Sequence, residues 1–243
     1  MGRVKKVTRT KMGLVIEEYR DGRYGAPGRR REKKTNPTPE QMEKRNQWQK
    51  TKRTWIRMME YFGQWDYFST LTYRRENRPE DMEEAKEQFR RAREKIRREY
   101  KKRGCELKWI RNIEVGTKGA WHIHMVVNRI PDTDVILQAA WPHGKVVSQL
   151  MYERGSFREL AAYITKTPKT DPRLREAHFD CSRNMPIPEA KKRVYKHWNR
   201  EIRVPKGYLL DKESLWEGEN PLTKYPCRIY LLIPAGRGKT RDG

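Results

Sequence analysis

Cysteine is scarce in this sequence: only Cys105, Cys181 and Cys227 occur in 243 residues. Three distant cysteines fit neither a disulfide framework nor a CxxC zinc site, and they suit a reducing cytoplasm. Long apolar runs are missing too, so no segment reads as a membrane-spanning helix. The first residues lack the apolar core of a signal peptide, and we therefore expect a cytoplasmic protein without a membrane partner.

Acidic residues are also few relative to basic ones. Lysine and arginine number 56 against 32 aspartates and glutamates, a formal net charge of +24. Residues 1–57 hold half of that surplus, with 18 basic and 6 acidic side chains. Each phosphate that a cation neutralises releases a condensed counterion, so such a charge favours a nucleic acid as partner.

The N-terminal quarter of the chain differs in composition from the rest. Residues 1–37 predict a basic arm with a short strand at 14–16, because residues 21–37 are rich in Gly, Pro and Arg without a period. Thr38 and Gln41 form a capping pattern, which predicts a helix from there to about Tyr61. We therefore assign residues 1–62 to a basic arm and an amphipathic helix.

Residues 63–243 predict an α+β domain with a C-terminal extension. The clearest element is a helix over 79–103 with apolar residues at 3–4 spacing. Around it we expect strands at 66–73, 108–115, 120–127, 144–152 and 227–233 and helices at 132–141 and 156–166. This order predicts one central antiparallel sheet with helices packed on one side.

Two histidines stand two residues apart in the segment Trp-His-Ile-His-Met-Val-Val, residues 121–127. Its apolar and β-branched residues predict a strand, on which His122 and His124 face the same side. The preceding strand joins it through a Gly-rich turn. If Gly119 is left-handed in a three-residue loop, Glu114 lies opposite His122, and Asn112 lies opposite His124.

Two imidazoles and one carboxylate on one sheet face are a candidate divalent-metal site. His122, His124 and Glu114 would leave positions open for water or phosphate and would suit Mg²⁺ or Mn²⁺, with tighter binding of Mn²⁺ to the imidazoles. Zn²⁺ is compatible as well. The alternative is a pair of surface histidines that bind no metal.

A candidate nucleophile lies on the predicted helix at 156–166. Tyr163 is at the flank of the apolar stripe, and Lys166 follows one turn later as its neighbour. A phenol is a weak nucleophile at neutral pH, but a nearby ammonium or metal favours the phenolate, and lysine also contacts phosphate. The alternative is a boundary tyrosine beside a solvated lysine.

Three motifs, in this order, resemble those of the HUH endonucleases, specifically the rolling-circle replication initiators of small phages and plasmids. The first is the strand Phe68–Tyr73, and the second is Glu114 with the His-x-His pair. The third is the Tyr-x-x-Lys of Tyr163 and Lys166. The resemblance spans roughly residues 67–184. Position 167 is Thr167, so the chain resembles the single-tyrosine type.

The resemblance implies a fold, a reaction and partners. The fold would be a sheet akin to that of an RNA-recognition motif, with the histidine strand in its middle. Tyr163 would attack single-stranded DNA at a replication origin, giving a 5′-phosphotyrosine link and a free 3′-hydroxyl. The metal motif would hold Mg²⁺ or Mn²⁺, and Lys166 would assist. A microbial host would supply the compartment and, as further partners, helicase and polymerase.

Two alternatives to a replication initiator stay open. A transposase or conjugative relaxase would use the same chemistry, although a relaxase often places its tyrosine near the N-terminus and uses a third histidine. A non-catalytic basic module with an RRM-like sheet would explain the charge and the aromatic residues. It would leave the arrangement of His122, His124, Glu114 and Tyr163 to coincidence.

Overall fold

The structure, a computed structural model, describes residues 3–20, 36–116, 119–151, 157–166, 178–197, 199–220 and 225–237. The chain forms two compact units. One consists of Tyr61–Pro186, and the other combines Met1–Glu60 with Ile187–Gly243. Each unit contains a five-stranded antiparallel sheet, so the predicted α+β class is confirmed.

The unit of residues 61–186 holds the predicted sheet. Its strand order is β6-β3-β5-β4-β7, which puts the histidine strand β5 in the middle. The elements follow the predicted order: β3 (Tyr67–Thr72), α2 (Met82–Lys102), β4 (Trp109–Val115), β5 (Trp121–Val127), α3 (Thr133–Ala140), β6 (Val146–Leu150), α4 (Arg158–Thr165) and β7 (Phe179–Cys181).

One face of this sheet is the main core of the unit. Alternation along the strands sends Leu71, Ile113 and Ile123 to this face, where α2 and α3 cover them. The apolar stripe of α2 is buried as its 3–4 spacing predicts: Met82, Ala85, Phe89, Ala92, Ile96 and Tyr100. The side chain of Asp81 caps α2 by accepting a hydrogen bond of 2.8 Å from the backbone of Glu84.

Helix α4 lies against the opposite face of the same sheet. Its Tyr163 contacts His124, whose side chain points away from the face that carries Ile123. Helices therefore occupy both faces, and the expectation of helices on one side is corrected. The physical reason is that the face of His124 also has apolar side chains to bury, among them Phe68, Ile110 and Val126.

The other unit contains a second sheet that the sequence did not predict. Its order is β8-β1-β2-β10-β9, built from β1 (Arg3–Thr10), β2 (Gly13–Arg20), α1 (Pro39–Tyr61, whose last residue belongs to the other unit), β8 (Ala190–Tyr195), β9 (Tyr208–Glu219) and β10 (Pro226–Pro234). The late strand expected at 227–233 is confirmed as β10.

Residues 3–20 form a hairpin rather than the expected basic arm. Val4, Val15 and Ile16 of this hairpin are buried. The cations of β1 interrupt its apolar residues, so its sequence shows no clear strand pattern. Gly13 packs so closely on the carbonyl of Leu232 that no Cβ would fit. Residues 21–35, the rest of the expected arm, lie outside the described residues.

The helix predicted to begin at Thr38 is confirmed as α1. The backbone of Thr38 donates to Gln41 Oε1 at 3.0 Å, and the backbone of Gln41 donates to Thr38 Oγ1 at 3.3 Å, which completes the capping box. Trp55 and Met59 of its predicted stripe are buried. None of the described helices combines the length and hydrophobicity needed to span a bilayer.

Candidate functional site

The β4–β5 hairpin has the predicted register. Glu114 pairs with His122, and Asn112 pairs with His124. Gly119 has φ of +66°, the left-handed conformation that the tight turn requires. Because directly paired residues share a face, the register of the hairpin brings the carboxylate and the two imidazoles together.

Glu114, His122 and His124 form a cluster compatible with a divalent metal. Their ligand atoms all lie within 4.8 Å of one another. Glu114 Oε2 is 3.3 Å from His122 Nε2 and 3.6 Å from His124 Nε2. Such separations suit atoms that share one ion with bonds of about 2.0–2.2 Å. The donor set and its spacing are therefore compatible with a single divalent ion.

Hydrogen bonds orient the two imidazoles. His122 Nδ1 lies 3.2 Å from the carbonyl oxygen of Ala120, and because a carbonyl only accepts, Nδ1 carries the proton. His124 Nδ1 lies 3.1 Å from Thr70 Oγ1. In both rings Nε2 is therefore the nitrogen that faces Glu114. Such outer partners are typical of metal-ligating histidines.

Without a metal, a proton links Glu114 and His122. Burial by itself raises the pKa of Glu114, but hydrogen bonds with His122 and His124 outweigh it and lower the pKa to about 2. The hydrogen bond with Glu114 raises the pKa of His122 above its usual value, against the effect of burial. A cation at the cluster would take over the role of this proton.

Tyr163 shares the sheet face of the imidazoles. Its hydroxyl lies 2.7 Å from His124 Nε2, and its side chain is 43% exposed. The ring of Phe68 stacks on His124, with ring centroids 5.3 Å apart, and meets Tyr163 edge-on. A pocket of about 350 Å³ opens here, lined by Phe68, Thr70, His124, Val147, Gln149 and Tyr163.

Lys166 occupies a different environment. It is the exposed residue that caps the C-terminal end of α4, and its backbone N–H donates to the carbonyl of Tyr163 at 3.2 Å. Among the described residues, its side chain forms no hydrogen bond or ion pair with the cluster or with Tyr163. The structure thus brings together four of the five predicted site residues and leaves Lys166 one turn away, facing solvent.

Two polar residues of the site were not predicted as functional. Thr70 Oγ1 forms the hydrogen bond with His124 Nδ1 described above, and Asn112 Nδ2 donates to Glu114 Oε1 at 2.8 Å. Both are the direct cross-strand partners of His124, from β3 and β4. The register of the hairpin could have identified Asn112, whereas Thr70 depends on a pairing between strands distant in sequence.

The segment that carries the candidate site matches a known protein family. Residues 66–168 match the model of a family described as Replication-associated protein ORF2/G2P. No curated protein and no solved structure gave a significant match. The matched segment runs from β3 through α4 and contains the whole cluster and Tyr163. The match covers less than half of the chain, and it shows that this segment is similar to replication-associated proteins.

Proposed function

We propose that this protein is an HUH endonuclease that nicks and rejoins single-stranded DNA at a replication origin and so initiates rolling-circle replication. The single observation that carries the proposal is the contact of 2.7 Å between the hydroxyl of Tyr163 and His124 Nε2. A phenol, two imidazoles and a carboxylate converge on one sheet face beside an open pocket. This is the set of groups that metal-assisted phosphoryl transfer by tyrosine needs.

Tyr163 is the proposed nucleophile. Its oxygen would bond to the scissile phosphorus while the bond from phosphorus to the 3′-oxygen breaks, leaving a 5′-phosphotyrosine and a free 3′-hydroxyl. The phenol gives its proton to water, and the departing 3′-oxygen takes one up, so protons balance. The ester conserves the energy of the broken bond, and the 3′-hydroxyl reverses the step or primes a polymerase.

Glu114, His122 and His124 would hold the metal, with Mn²⁺ bound more tightly than Mg²⁺ because two ligands are imidazoles. The ion would polarise the scissile phosphate and stabilise charge on its oxygens. His124 Nε2 has one lone pair, which would serve either the ion or the hydroxyl of Tyr163.

The residues around these groups would supply orientation and charge. Thr70 and Ala120 fix which nitrogen of each imidazole points to the ligand position. Lys166, exposed one turn after Tyr163, would contact a phosphate bound at the pocket. Val147 and Gln149 are the exposed pocket residues that a nucleotide next to the scissile phosphate would contact.

Covalent capture of DNA tests the proposal. The full-length protein is incubated with Mn²⁺ and a randomised single-stranded oligonucleotide pool, labelled at either the 3′ or the 5′ end, and run on a denaturing gel. A 5′-phosphotyrosine predicts a protein-linked band with the 3′ label and a released fragment with the 5′ label. Chelation of the metal should abolish both products.

Matched tyrosine variants locate the nucleophile. Tyr163→Phe should lose the adduct entirely, because the ring remains and only the attacking oxygen is removed. Tyr208→Phe, a half-buried tyrosine of the other unit, should keep it. An adduct that persists in Tyr163→Phe would refute the assignment, and tight binding without any cleavage by the wild type would favour the non-catalytic RRM-like module.

The biological setting distinguishes the remaining alternatives. A transposase or relaxase would make the same adduct on the same tyrosine, so the captured sequences decide. Recovery of one site from the origin of a replicating circular DNA supports an initiator. Recovery of element ends or of a conjugative transfer origin contradicts initiation while leaving the transesterification chemistry in place.

A further inference from the structure

The unit of residues 1–60 and 187–243 carries an exposed cationic surface that the proposed chemistry does not use. Residues 190–207 contain seven lysines and arginines and a single acidic residue, Glu201. All seven cationic residues are exposed, and together they define the cationic surface: Lys191, Lys192, Arg193, Lys196, Arg200, Arg203 and Lys206.

None of these seven side chains forms an ion pair with another residue that the structure describes. Several exposed cations of α2 are paired with acidic neighbours instead. On α2, Arg90 and Arg91 both bind Glu87, and Arg103 binds Glu99, at distances of 2.7–2.9 Å. The cationic surface therefore has positive charge without the acidic neighbours that neutralise it on α2.

Strand pairing brings further positive charge against this surface. Lys192 lies directly opposite Lys6, and Arg193 lies directly opposite Lys5, which is itself 3.7 Å from Glu18. Like charges in directly opposed positions destabilise a sheet unless an anion neutralises them. Lysines on an edge strand such as β8 also prevent edge-to-edge aggregation, but that role does not extend to the cations after the strand.

The segment that follows β8 is fixed by a buried arginine. Arg228, which is 2% exposed, donates to the carbonyl oxygens of Asn199 at 2.9 Å and Arg200 at 2.6 Å. The same guanidinium binds Glu18 at 2.6 Å, and Ile202 packs on the apolar cluster of the sheet. The backbone that carries Arg200 and Arg203 is thus held in place before any partner binds.

Register shows that the strand and the segment share a face. Arg193, Lys5, Glu18, Arg228 and Glu217 are aligned in one row across all five strands, so their side chains point to the same side. Lys191 lies two residues from Arg193 and also points there. The segment anchored by Arg228 therefore adds its cations to Lys191 and Arg193 of β8, whereas Lys192 points to the other side of the sheet.

We propose that the cationic surface binds the phosphate backbone of DNA, as a contact separate from the cleavage site. Protein interfaces have an apolar core with charges at the rim, whereas this surface consists mainly of unpaired cations. Counterion release favours binding of such a surface to a polyanion. The proposal does not depend on cleavage by Tyr163, because it concerns affinity alone and rests on residues of the other unit.

Salt-dependent binding tests this proposal in the full-length chain. Tyr163→Phe serves as background so that no cleavage interferes, and binding of labelled single-stranded and duplex DNA is measured by anisotropy between about 50 and 200 mM salt. The test variant adds Lys191→Gln, Arg193→Gln and Arg203→Gln. The matched control adds Lys44→Gln, Arg45→Gln and Arg53→Gln, exposed residues on α1 with the same charge change.

Each lost phosphate contact lowers the salt slope of log K by about 0.9 for duplex and about 0.7 for single strands. The test variant should therefore lose about 2.7 or about 2.1 from its slope, whichever DNA the surface binds. That loss corresponds to binding weaker by on the order of a hundredfold at about 0.1 M salt. The control should keep the slope of the background protein.

Two further variants keep the result interpretable. Arg193→Lys with Arg203→Lys retains the charges and should restore the slope. Lys196→Gln, Arg203→Gln and Lys206→Gln lie outside β8 and should reproduce the loss without altering a strand. An unchanged salt slope of the test variant with both DNAs overturns the proposal and favours an acidic protein as the partner. An equal loss of slope in the α1 control also overturns it, because the effect would then be one of net charge.

Failure of this proposal is distinguishable from failure of the proposed nickase. With Tyr163 restored, the test variant should still form the covalent adduct at saturating DNA, since its cluster is intact. Loss of slope with retained adduct supports both proposals. A retained slope in a protein that forms the adduct overturns only the cationic surface.

Discussion

The two sheets of this protein each hold a carboxylate between basic side chains, but the bases differ. In the sheet of residues 61–186, Glu114 contacts the imidazoles of His122 and His124. In the other sheet, Glu18 is 2% exposed and binds the guanidinium of Arg228 at 2.6 Å. Both arrangements lie in register across neighbouring strands, so the backbone geometry is the same.

The difference lies in what each base can release. An imidazole loses its proton near neutral pH and then offers a lone pair to a metal, whereas a guanidinium stays charged and offers none. The cluster at Glu114 is therefore exchangeable, and a metal or a proton can occupy it. The pair at Glu18 has no such alternative and serves to hold the sheet and the segment after β8 together.

The largest effect that this comparison predicts is on stability. Arg228→Leu would remove the closest partner of the buried Glu18 and leave only Arg3 and Lys5, at 3.8 and 3.7 Å, so it should lower the free energy of unfolding by about 3 kcal/mol. Urea unfolding, followed by fluorescence, measures the change. Adding Glu18→Gln to the same protein should recover part of the loss, because the buried charge that lost its closest partner is gone.

A small effect of Arg228→Leu would contradict the contrast between the two carboxylates. The matched change in the other sheet is His122→Leu, which leaves Glu114 near the pocket and accessible to water. It should cost less than Arg228→Leu, since Glu114 is about one-fifth exposed and Glu18 is not. Equal losses would indicate that burial does not distinguish the two sites.

The sequence predicts the exchangeable cluster better than the buried pair, because of distance along the chain. Glu114 and His122 belong to one hairpin, and the left-handed Gly119 sets their register locally. Glu18 and Arg228 meet only after the two ends of the chain pair as β2 and β10. No local periodicity shows that pairing, so the second sheet was not predicted.

Within the site, the sequence predicted the position of Tyr163 better than the role of Thr70. The 3.6-residue period of α4 put Tyr163 at the edge of its apolar stripe, and the structure brings its hydroxyl to His124. Thr70 was read only as part of a β-strand motif, because its role requires the register of β3 against β5. The N-terminal cations obscured β1 because charge runs usually indicate solvated chain.

The second prediction sharpens the comparison within the exchangeable cluster. Thr70→Val removes the partner of His124 Nδ1 and should weaken Mn²⁺ binding by about 10–100-fold, as loss of such outer partners typically does. Thr72→Val is the matched control. Thr72 lies on β3 like Thr70 and pairs with His122, but its hydroxyl donates to the carbonyl of Lys145.

Calorimetric titration of Mn²⁺ into both threonine variants measures this difference. Thr72→Val should bind Mn²⁺ like the wild type, because Ala120 rather than a threonine orients His122. Equal weakening in the two variants would show that strand packing, not the hydrogen bond to His124, sets the affinity. Unchanged Mn²⁺ affinity in both variants would show that the imidazole of His124 needs no hydrogen-bond partner at Nδ1 to bind the ion.

The smallest expected effect is the pH dependence of the metal-free protein. The raised pKa of His122 means that its pairing with Glu114 stabilises the fold fully below the usual value of 6.5 and less as the pH rises through the shifted value. The lowered pKa of Glu114 means that its contribution is present above 4.5 and fades as the pH falls towards about 2. The pair of His122 and Glu114 therefore stabilises the fold most between these two pH limits.

Urea unfolding in the presence of a chelator measures this effect. The difference in free energy of unfolding between wild type and His122→Asn should be widest near pH 5–6 and should narrow towards pH 8. Over the same range the affinity for Mn²⁺ should rise, because protons compete with the ion for the ligands. A gap for His122→Asn that stays constant over this range would contradict a pairing of His122 with Glu114 that depends on the proton of the imidazole.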